Sequence, residues 1–378
     1  MSGQPKRKLK PNEKTWSISV AMFLIVALVF PGFSLLDAKI NSTKTYDKRV
    51  CAFYYTWYAN TTVYADEHPT NDDVYEHWNK SNAPFEPYQD LMISQHPSLG
   101  FSTDEPILYD SADEKTVAYH LNLANEMGIE TFITTWWAED NSIDTNFEIL
   151  LNTTETEGYD MQHAIYFESA QPKYDMLDPD CVNNIHNDIK YVLDSYGDHK
   201  NYLKLENRPV IFAFNVYSAA SAKNWTAAIQ KLNEDGYNPY LIVDIGYQAP
   251  IGQQELDMFD GVHLYNPSQP YLKDFEGTVE DMHDLRFYAG INEKLFCGTV
   301  MPGYNDTALD KEEPVPVYPR NGGQTYNKTW EAALGLNPDW IIITSFNEWH
   351  EGTEIEPSIQ YGNQYVEITK NQVQNWKI

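Results

Sequence analysis

The chain has little cysteine and few basic residues, and each shortage argues against a class of protein. Its three cysteines in 378 residues leave at least one thiol without an intramolecular partner, and they show no zinc spacing. They are Cys51, Cys181 and Cys297. Lys and Arg number 26 against 55 Asp and Glu, which gives a formal net charge of −29. A surface this acidic argues against nucleic acid or anionic lipid headgroups as partners of the globular part.

Familiar catalytic signatures are absent as well. The sequence contains no Gly-x-Ser-x-Gly elbow, no His-Glu-x-x-His pair and no Walker loop. Aromatic residues, in contrast, are abundant, with 27 Tyr and 10 Trp. Their flat faces suit the apolar faces of sugars, although packing in the core is the simpler explanation of the composition alone.

Only one long apolar run stands out, at residues 16–36, and a basic tail at residues 1–15 precedes it. The run carries no charge and matches the ~20 residues that span a bilayer. Positive charge on its N-terminal side predicts a type II anchor with the bulk of the chain outside the cytoplasm. The alternative is a cleaved signal peptide with residues 18–30 as its apolar core. In both cases residues 37–47 form a linker, and residues 48–378 form an anchored or secreted domain.

Sequons agree with an extracytoplasmic or luminal location. Each Asn-x-Ser/Thr triplet alone is weak evidence, because such triplets arise by chance in a chain rich in Asn. Their number beside an export signal favours a glycosylated domain. They begin at Asn41, Asn60, Asn79, Asn152, Asn224, Asn305 and Asn327.

Short apolar segments alternate with helical patterns after the linker. The predicted strands are Arg49–Trp57, Thr131–Trp136, His163–Phe167, Pro209–Phe214, Tyr240–Asp244, Gly261–Tyr265, Leu295–Val300 and Trp340–Ser345. The predicted helices are Thr116–Met127, Ile143–Glu157, Asn183–Tyr196, Ala219–Glu234, Gln253–Met258, Thr278–Asn292, Gln324–Leu334 and Gln364–Trp376. This alternation predicts an α/β fold, a single-domain (β/α)8 barrel of the TIM type. An open doubly wound sheet is the alternative, but no glycine-rich phosphate loop follows the first strand.

A barrel of this type would carry its active site at the C-terminal ends of the strands. Aromatic, carboxylate and amide side chains occur at most of these ends, and such groups can stack on sugar rings and bind hydroxyls. Polar residues also gather at strand ends simply because the ends meet water. The residues concerned are Tyr54, Tyr55, Trp57, Trp136, Trp137, Glu168, Asn215, Asp244, Tyr265 and Tyr304. The long irregular segment Ala59–Asp113 is predicted to form loops over the same face.

The segment 344–356, after the last predicted strand, is the most informative part of the chain. It places Glu348 and Glu351 three residues apart, among Asn347, Trp349 and His350. Two carboxylates whose pKa values are pushed apart by proximity and burial form the acid/base pair of a glycoside hydrolase. The alternative is an exposed acidic turn that caps a helix, which would leave the aromatic residues in water.

Neither a metal nor a cofactor is predicted for this site. His350 is interpreted as a hydrogen-bond partner of the carboxylates. His77 is the only other histidine expected in the pocket, and two isolated histidines do not make a metal site.

The octapeptide at 346–353, Phe-Asn-Glu-Trp-His-Glu-Gly-Thr, resembles the signature of the endo-α-mannosidases of glycoside hydrolase family 99. Two further segments, Ala52–Tyr58 and Tyr75–Trp78, look like that family's first-strand and first-loop segments. The blocks keep the family's order over roughly residues 48–370, which is the whole domain.

The resemblance implies a (β/α)8 barrel that cleaves internal α-mannosidic bonds, with an α-1,2 linkage expected, through a 1,2-anhydro sugar and with retention. Glu348 would deprotonate the 2-hydroxyl, and Glu351 would protonate the leaving oxygen and then activate water. The expected pocket comprises Tyr54 or Tyr55, His77, Trp136, Glu168, Tyr202, Tyr265, Tyr304 and Asn347.

The expected partner is therefore a mannose-containing glycan, with membrane contact only through the N-terminal segment and a monomeric state. Two alternatives remain. One is a related barrel of the group associated with polysaccharide synthesis. The other is a carbohydrate-binding barrel without catalysis.

Overall fold

Eight parallel strands form the centre of the structure. The computed structural model describes residues 44–59, 109–137, 139, 141–216, 219–244, 257–267, 286–290, 292–307, 317–358 and 360–378. The strands are β1 Arg49–Tyr54, β2 Thr131–Trp136, β3 Gln162–Phe167, β4 Arg208–Ala213, β5 Tyr240–Asp244, β6 Gly261–His263, β7 Leu295–Val300 and β8 Trp340–Ile343. Each pairs in parallel with the next, and β8 pairs with β1, so the sheet closes into a barrel. The prediction of a (β/α)8 barrel is confirmed, and the open sheet is excluded.

Helices follow the strands along the chain. They are α1 Glu114–Met127, α2 Ser142–Glu157, α3 Cys181–Tyr196, α4 Ala219–Glu234, α5 Gln324–Gly335 and α6 Gln364–Lys377. Local sequence sets several of their ends. The Asp113 side chain accepts hydrogen bonds from the first turn of α1, and α1 stops at Gly128, whose φ of 77° suits glycine. Asn141 and Gly158 bound α2 in the same way.

Most predicted elements agree with the observed ones, with four strand ends placed too late. β1 stops at Tyr54, β4 at Ala213, β6 at His263 and β8 at Ile343. A two-residue strand, Lys204–Leu205, pairs antiparallel with the start of β4 and was not predicted. Short 3-10 turns occur at Pro172–Tyr174, Asn321–Gly323 and Trp349–Glu351.

Some predictions fall on residues that the structure does not describe. These include the basic tail, the apolar run at 16–36 and nearly all of Ala59–Asp113. Only the ends of Gln253–Met258 and Thr278–Asn292 are described, and 286–290 is helical. Within the described ranges, no helix is both long enough and apolar enough to cross a membrane.

Side chains alternate between two apolar layers. Phe53, Ile133 and Tyr166 point into the barrel. Tyr54 and Phe132, each next to one of these in sequence, belong to the layer between strands and helices. This alternation follows from the two-residue period of a strand. Because both faces are buried, the strands consist mainly of apolar residues, with a few buried polar residues such as the threonines of β2. The three cysteines are buried free thiols.

An ion pair joins three strands at their N-terminal ends. The guanidinium of Arg208, at the start of β4, donates from Nη1 and Nη2 to both oxygens of Asp260, each at 2.7 Å. Asp260 precedes β6 and also accepts from the backbone N of Leu241 in β5 at 2.9 Å. The bidentate geometry fixes direction as well as distance, so the contact holds the register of β4, β5 and β6.

We expect Asp260→Ala to lower the free energy of unfolding by about 2 kcal/mol, because it removes the carboxylate partner of Arg208 and leaves the Leu241 N–H without its acceptor. Urea unfolding measures the change. Asp198→Ala, which removes a fully exposed carboxylate, is the matched control and should change stability little. Equal unfolding midpoints in the two variants would contradict the register role of Asp260.

Candidate active site

The acidic turn, residues 344–356, begins where β8 ends and folds back on itself. Ser345 N donates to Thr353 O at 2.9 Å, and Ile355 N donates to Ser345 O at 3.1 Å. Between them, Trp349–Glu351 forms a 3-10 turn. Gly352 closes it with a φ of 57°, a left-handed conformation that glycine adopts at little cost. The turn therefore projects two glutamates from one short rigid segment.

Glu348 is the more deeply buried of the two glutamates, with 2% of its surface exposed. Its Oε1 accepts from the backbone N of His350 at 3.0 Å, and its own backbone N donates to Ser345 Oγ at 2.8 Å. His350 Nδ1 lies 3.6 Å from the same Oε1. The side chain is thus held against its own turn, which limits the positions that the carboxylate can take.

Glu351 is held instead by tyrosines from two other strand ends. Tyr265 OH donates to its Oε2 at 2.9 Å, and Tyr304 OH lies 3.2 Å from its Oε1 and 3.0 Å from Asp306 Oδ2. Tyr55 OH lies 2.6 Å from Tyr265 OH. Since the Tyr265 proton is committed to Glu351, Tyr55 is the donor in that contact. Burial, together with the negative charge of Glu351, raises the pKa of all three phenols, so they remain neutral donors.

Glu168 brings a third carboxyl group to the site from the end of β3. Its Oε1 accepts from Thr135 Oγ1 at 2.9 Å. Burial, with the nearby charges of Glu351 and Asp244, raises the pKa of Glu168 to about 8. A carboxyl group in that state holds its proton at neutral pH and can donate a hydrogen bond to a ligand oxygen.

Aromatic rings form one wall of the site. The ring centroids of Trp57 and His350 are 6.3 Å apart with their planes inclined by 30°, and the ring centroid of Trp57 lies 6.4 Å from that of Trp137. Trp137 is 37% exposed, although its Nε1 donates to Thr135 Oγ1 at 3.1 Å. Exposed rings anchored by a polar contact can stack against a sugar.

The structure brings six of the predicted site residues together. They are Tyr55, Glu168, Tyr265, Tyr304, Glu348 and Glu351. Asn347 lies directly behind them, fully buried, with its amide bonded to both backbone groups of Tyr55. His77 falls outside the described residues.

Three other predicted pocket residues lie elsewhere. Tyr54, Trp136 and Tyr202 belong to the layer between strands and helices. Their polar atoms are bonded there, Tyr54 OH to His120 Nδ1, Trp136 Nε1 to Asp144 and Tyr202 OH to Val210 O. Strand alternation is the reason in β1 and β2, because Tyr55 and Thr135 take the positions that face the site. The expectation that these three residues line the pocket is therefore corrected.

Some residues close to the site carried no sequence signal. Thr135, which holds Glu168, looks like any β-branched strand residue. Tyr109 and His120 contact Glu356, the last residue of the acidic turn, from positions 247 and 236 residues away. Only folding brings such residues together. In the part of the chain that the structure describes, no group of three or more His, Cys, Asp or Glu residues could hold a metal ion.

A parallel barrel with paired carboxylates, phenol donors and exposed rings at the C-terminal strand ends defines a glycoside hydrolase. The family model for glycosyl hydrolase family 99 matches residues 45–371, and the chain belongs to that family. The resemblance carried by residues 346–353 is thus confirmed at the level of the family, and the protein is a glycosidase.

Similar proteins agree with the assignment. The glycoprotein endo-alpha-1,2-mannosidase of Rattus norvegicus is 25% identical over 333 residues, which cover 82% of this chain and 68% of the relative. The Mus musculus enzyme of the same name is 25% identical over 360 residues, covering 88% and 74%. The fold is also that of a GH99 endo-alpha-mannosidase from Bacteroides thetaiotaomicron, with a TM-score of 0.67 and 22% identity over 88% of this chain and 98% of that one.

We expect Glu168 to contribute a loss of unfolding free energy as pH rises from about 4.5 to about 8. Over that interval folded Glu168 keeps a proton that the unfolded chain releases, so proton loss favours unfolding. Glu168→Gln removes this contribution. The stability of the variant relative to wild type should therefore increase with pH, measured by urea unfolding at several pH values.

The matched control for this measurement is Glu148→Gln, which removes an exposed carboxyl group from α2. A difference between Glu168→Gln and wild type that stays constant with pH would contradict the raised pKa.

Proposed function

We propose that the protein is a retaining endo-α-1,2-mannosidase that hydrolyses internal α-mannosidic bonds in mannose-containing glycans. One observation carries the proposal. Glu348 and Glu351 project from one rigid turn into different surroundings, the first buried against its own backbone and the second held by two phenols. Different surroundings are what give two identical side chains the roles of base and acid. The names of the curated relatives support the linkage.

In the first step, Glu348 takes the proton of the sugar's 2-hydroxyl, and O2 attacks C1 of the same ring. The bond from C1 to the leaving oxygen breaks while Glu351 donates its proton to that oxygen. The products are a 1,2-anhydro sugar, a free acceptor hydroxyl, protonated Glu348 and ionised Glu351. Two inversions at C1 over the whole reaction give net retention.

In the second step, Glu351 takes a proton from water, and the water oxygen attacks C1. The bond from C1 to O2 breaks, O2 receives the proton from Glu348, and both carboxyls return to their starting states. Tyr265 supports the second role of Glu351, since its donated hydrogen bond stabilises the carboxylate that acts on water. Each carboxylate oxygen keeps a further lone pair for the reacting groups.

The remaining polar groups suit substrate binding. Glu168, protonated at neutral pH, would donate to a sugar hydroxyl, and Tyr55 can accept a hydrogen bond while it donates to Tyr265. Trp57 and Trp137 would stack on a sugar ring. No step requires a metal or a cofactor.

We further propose that the catalytic domain is monomeric and acts outside the cytoplasm. It would be anchored by residues 16–36 or released by cleavage after them. The sequon at Asn152 on α2 has an exposed side chain and would carry a glycan. The amide of Asn327 on α5 donates to Gly323 O at 3.0 Å, which makes it less available. The amide of Asn224 donates to Met176 O at 3.2 Å and is less available.

We expect Glu351→Gln and Glu348→Gln each to lower kcat by more than ~10²-fold, because each removes a group that transfers a proton in the transition state. Release of reducing ends from an α-1,2-linked mannan measures the rate. NMR of the first product formed should show retained α configuration. Glu148→Gln is the matched control and should keep wild-type turnover.

Unchanged turnover in Glu351→Gln would overturn the site assignment. A wild-type protein that binds the mannan without cleaving it would instead support a carbohydrate-binding barrel.

A further inference from the structure

A buried carboxylate ends the acidic turn, and the reaction described above does not use it. Glu356 is 2% exposed and accepts hydrogen bonds from three segments of the chain. Its Oε1 lies 2.9 Å from His120 Nε2 in α1. Its Oε2 accepts from Tyr109 OH at 3.1 Å and from Trp349 Nε1 at 3.2 Å. Trp349 belongs to the acidic turn itself, directly after Glu348.

We propose that Glu356, through Trp349 and Tyr109, is the positioning residue that sets where the two catalytic glutamates stand. The proposal rests on the proposed function of Glu348 and Glu351. It adds a hydrogen-bonded network around Glu356 that positions the two glutamates without contacting the substrate.

Hydrogen bonds of this network reach the residues on either side of Glu348. Trp349 follows Glu348, and its indole is bonded directly to Glu356. Asn347 precedes Glu348, and its Nδ2 donates to Tyr109 OH at 3.1 Å, while that hydroxyl donates to Glu356. One carboxylate thus holds both neighbours of Glu348.

The same segment is tied to the first strand of the barrel. Asn347 Oδ1 accepts from Tyr55 N at 2.8 Å, and its Nδ2 donates to Tyr55 O at 2.9 Å. Tyr58 OH donates to Asn347 O at 2.8 Å and accepts from Trp349 N at 3.2 Å. The turn therefore has little freedom to shift relative to Tyr55. The Tyr55 hydroxyl also donates to Tyr265, which in turn donates to Glu351.

The hydrogen bonds around Glu356 form one consistent arrangement when Glu356 is ionised and His120 is neutral. His120 then donates from Nε2 to Glu356, and its Nδ1 accepts from Tyr54 OH at 2.9 Å. Burial of a carboxylate carries a desolvation penalty that apolar side chains would avoid. The carboxylate instead fixes the orientation of its donors, because each donor must point at one of its two oxygens. Catalysis depends on such direction, since a misplacement of ~1 Å can cost ~10²-fold in rate.

Tyr109→Phe tests the positioning role of the network around Glu356 most directly. It removes the hydroxyl that links Asn347 to Glu356 and leaves the ring in place. We expect kcat on the glycan that wild type hydrolyses to fall ~10-fold or more, with KM within about twofold, because the loss acts on transition-state geometry. Tyr326→Phe is the matched control. It removes a buried hydroxyl that contacts Thr369 on the far side of α5, and it should lower Tm by a similar amount without lowering kcat.

Glu356→Gln provides a second variant that can fold. Its amide can donate to His120 if that ring moves its proton to Nδ1, and its oxygen can still accept from Tyr109 and Trp349. We expect a fall in kcat with KM preserved here as well. A kcat no lower than that of Tyr326→Phe in both variants, or a rise in KM alone, would overturn the proposal.

Crystal structures of wild type, Tyr109→Phe and Tyr326→Phe separate this proposal from the proposed function. We expect the carboxylates of Glu348 and Glu351 to shift by ~0.5 Å or more in Tyr109→Phe only, which is the tolerance of a working site. Carboxylates that superpose in all three would overturn the positioning role even if mannan is cleaved. Failure of wild type to cleave any α-mannoside would overturn the function, while the shift would still decide the positioning role.

Discussion

The pairing of β8 with β1 is the contact on which the rest of the structure depends. It runs in register from Arg49 opposite Trp340 to Ala52 opposite Ile343, and it turns an open sheet into a barrel. Phe346 N then donates to Phe53 O at 2.8 Å, which lays the acidic turn over the end of the first strand. In an open sheet these two strands would form opposite edges. The hydrogen bonds from Tyr55 through Tyr265 to Glu351 could then not form, and neither could the network around Glu356.

Burial sets the protonation states of the acidic and phenolic groups at this end of the barrel. Glu168 keeps its proton to about pH 8 because it is buried near Glu351 and Asp244. The phenols around Glu351 stay neutral for the same reason and can therefore stabilise its negative charge. The highly acidic composition gave no indication of this division, because a pKa depends on the contacts of each group and not on the number of carboxylates in the chain.

The strands were predictable because both of their faces are buried, so their sequences are short runs rich in apolar and β-branched residues. For the same reason, the sequence did not show which strand residues face the barrel interior and which face the helices. Tyr54 and Tyr55 are adjacent and chemically identical, yet one contacts His120 in the outer layer and the other contacts Tyr265 in the site. Strand ends were placed too late where aromatic residues continue past the last ladder bond, as at Trp57, since an extended loop and a strand share that composition.

The sequence by itself determined the order of strands and helices, the spacing of Glu348 and Glu351, and the octapeptide that assigns the family. These features are local, and a few neighbouring residues are enough to specify them. Only the tertiary structure decided which strand residues face the site and which distant side chains support it. Glu356 meets Tyr109 across 247 positions, and Asn347 meets Tyr55 across 292. Such contacts depend on barrel closure and strand register, which arise from the packing of the whole chain and leave no local pattern.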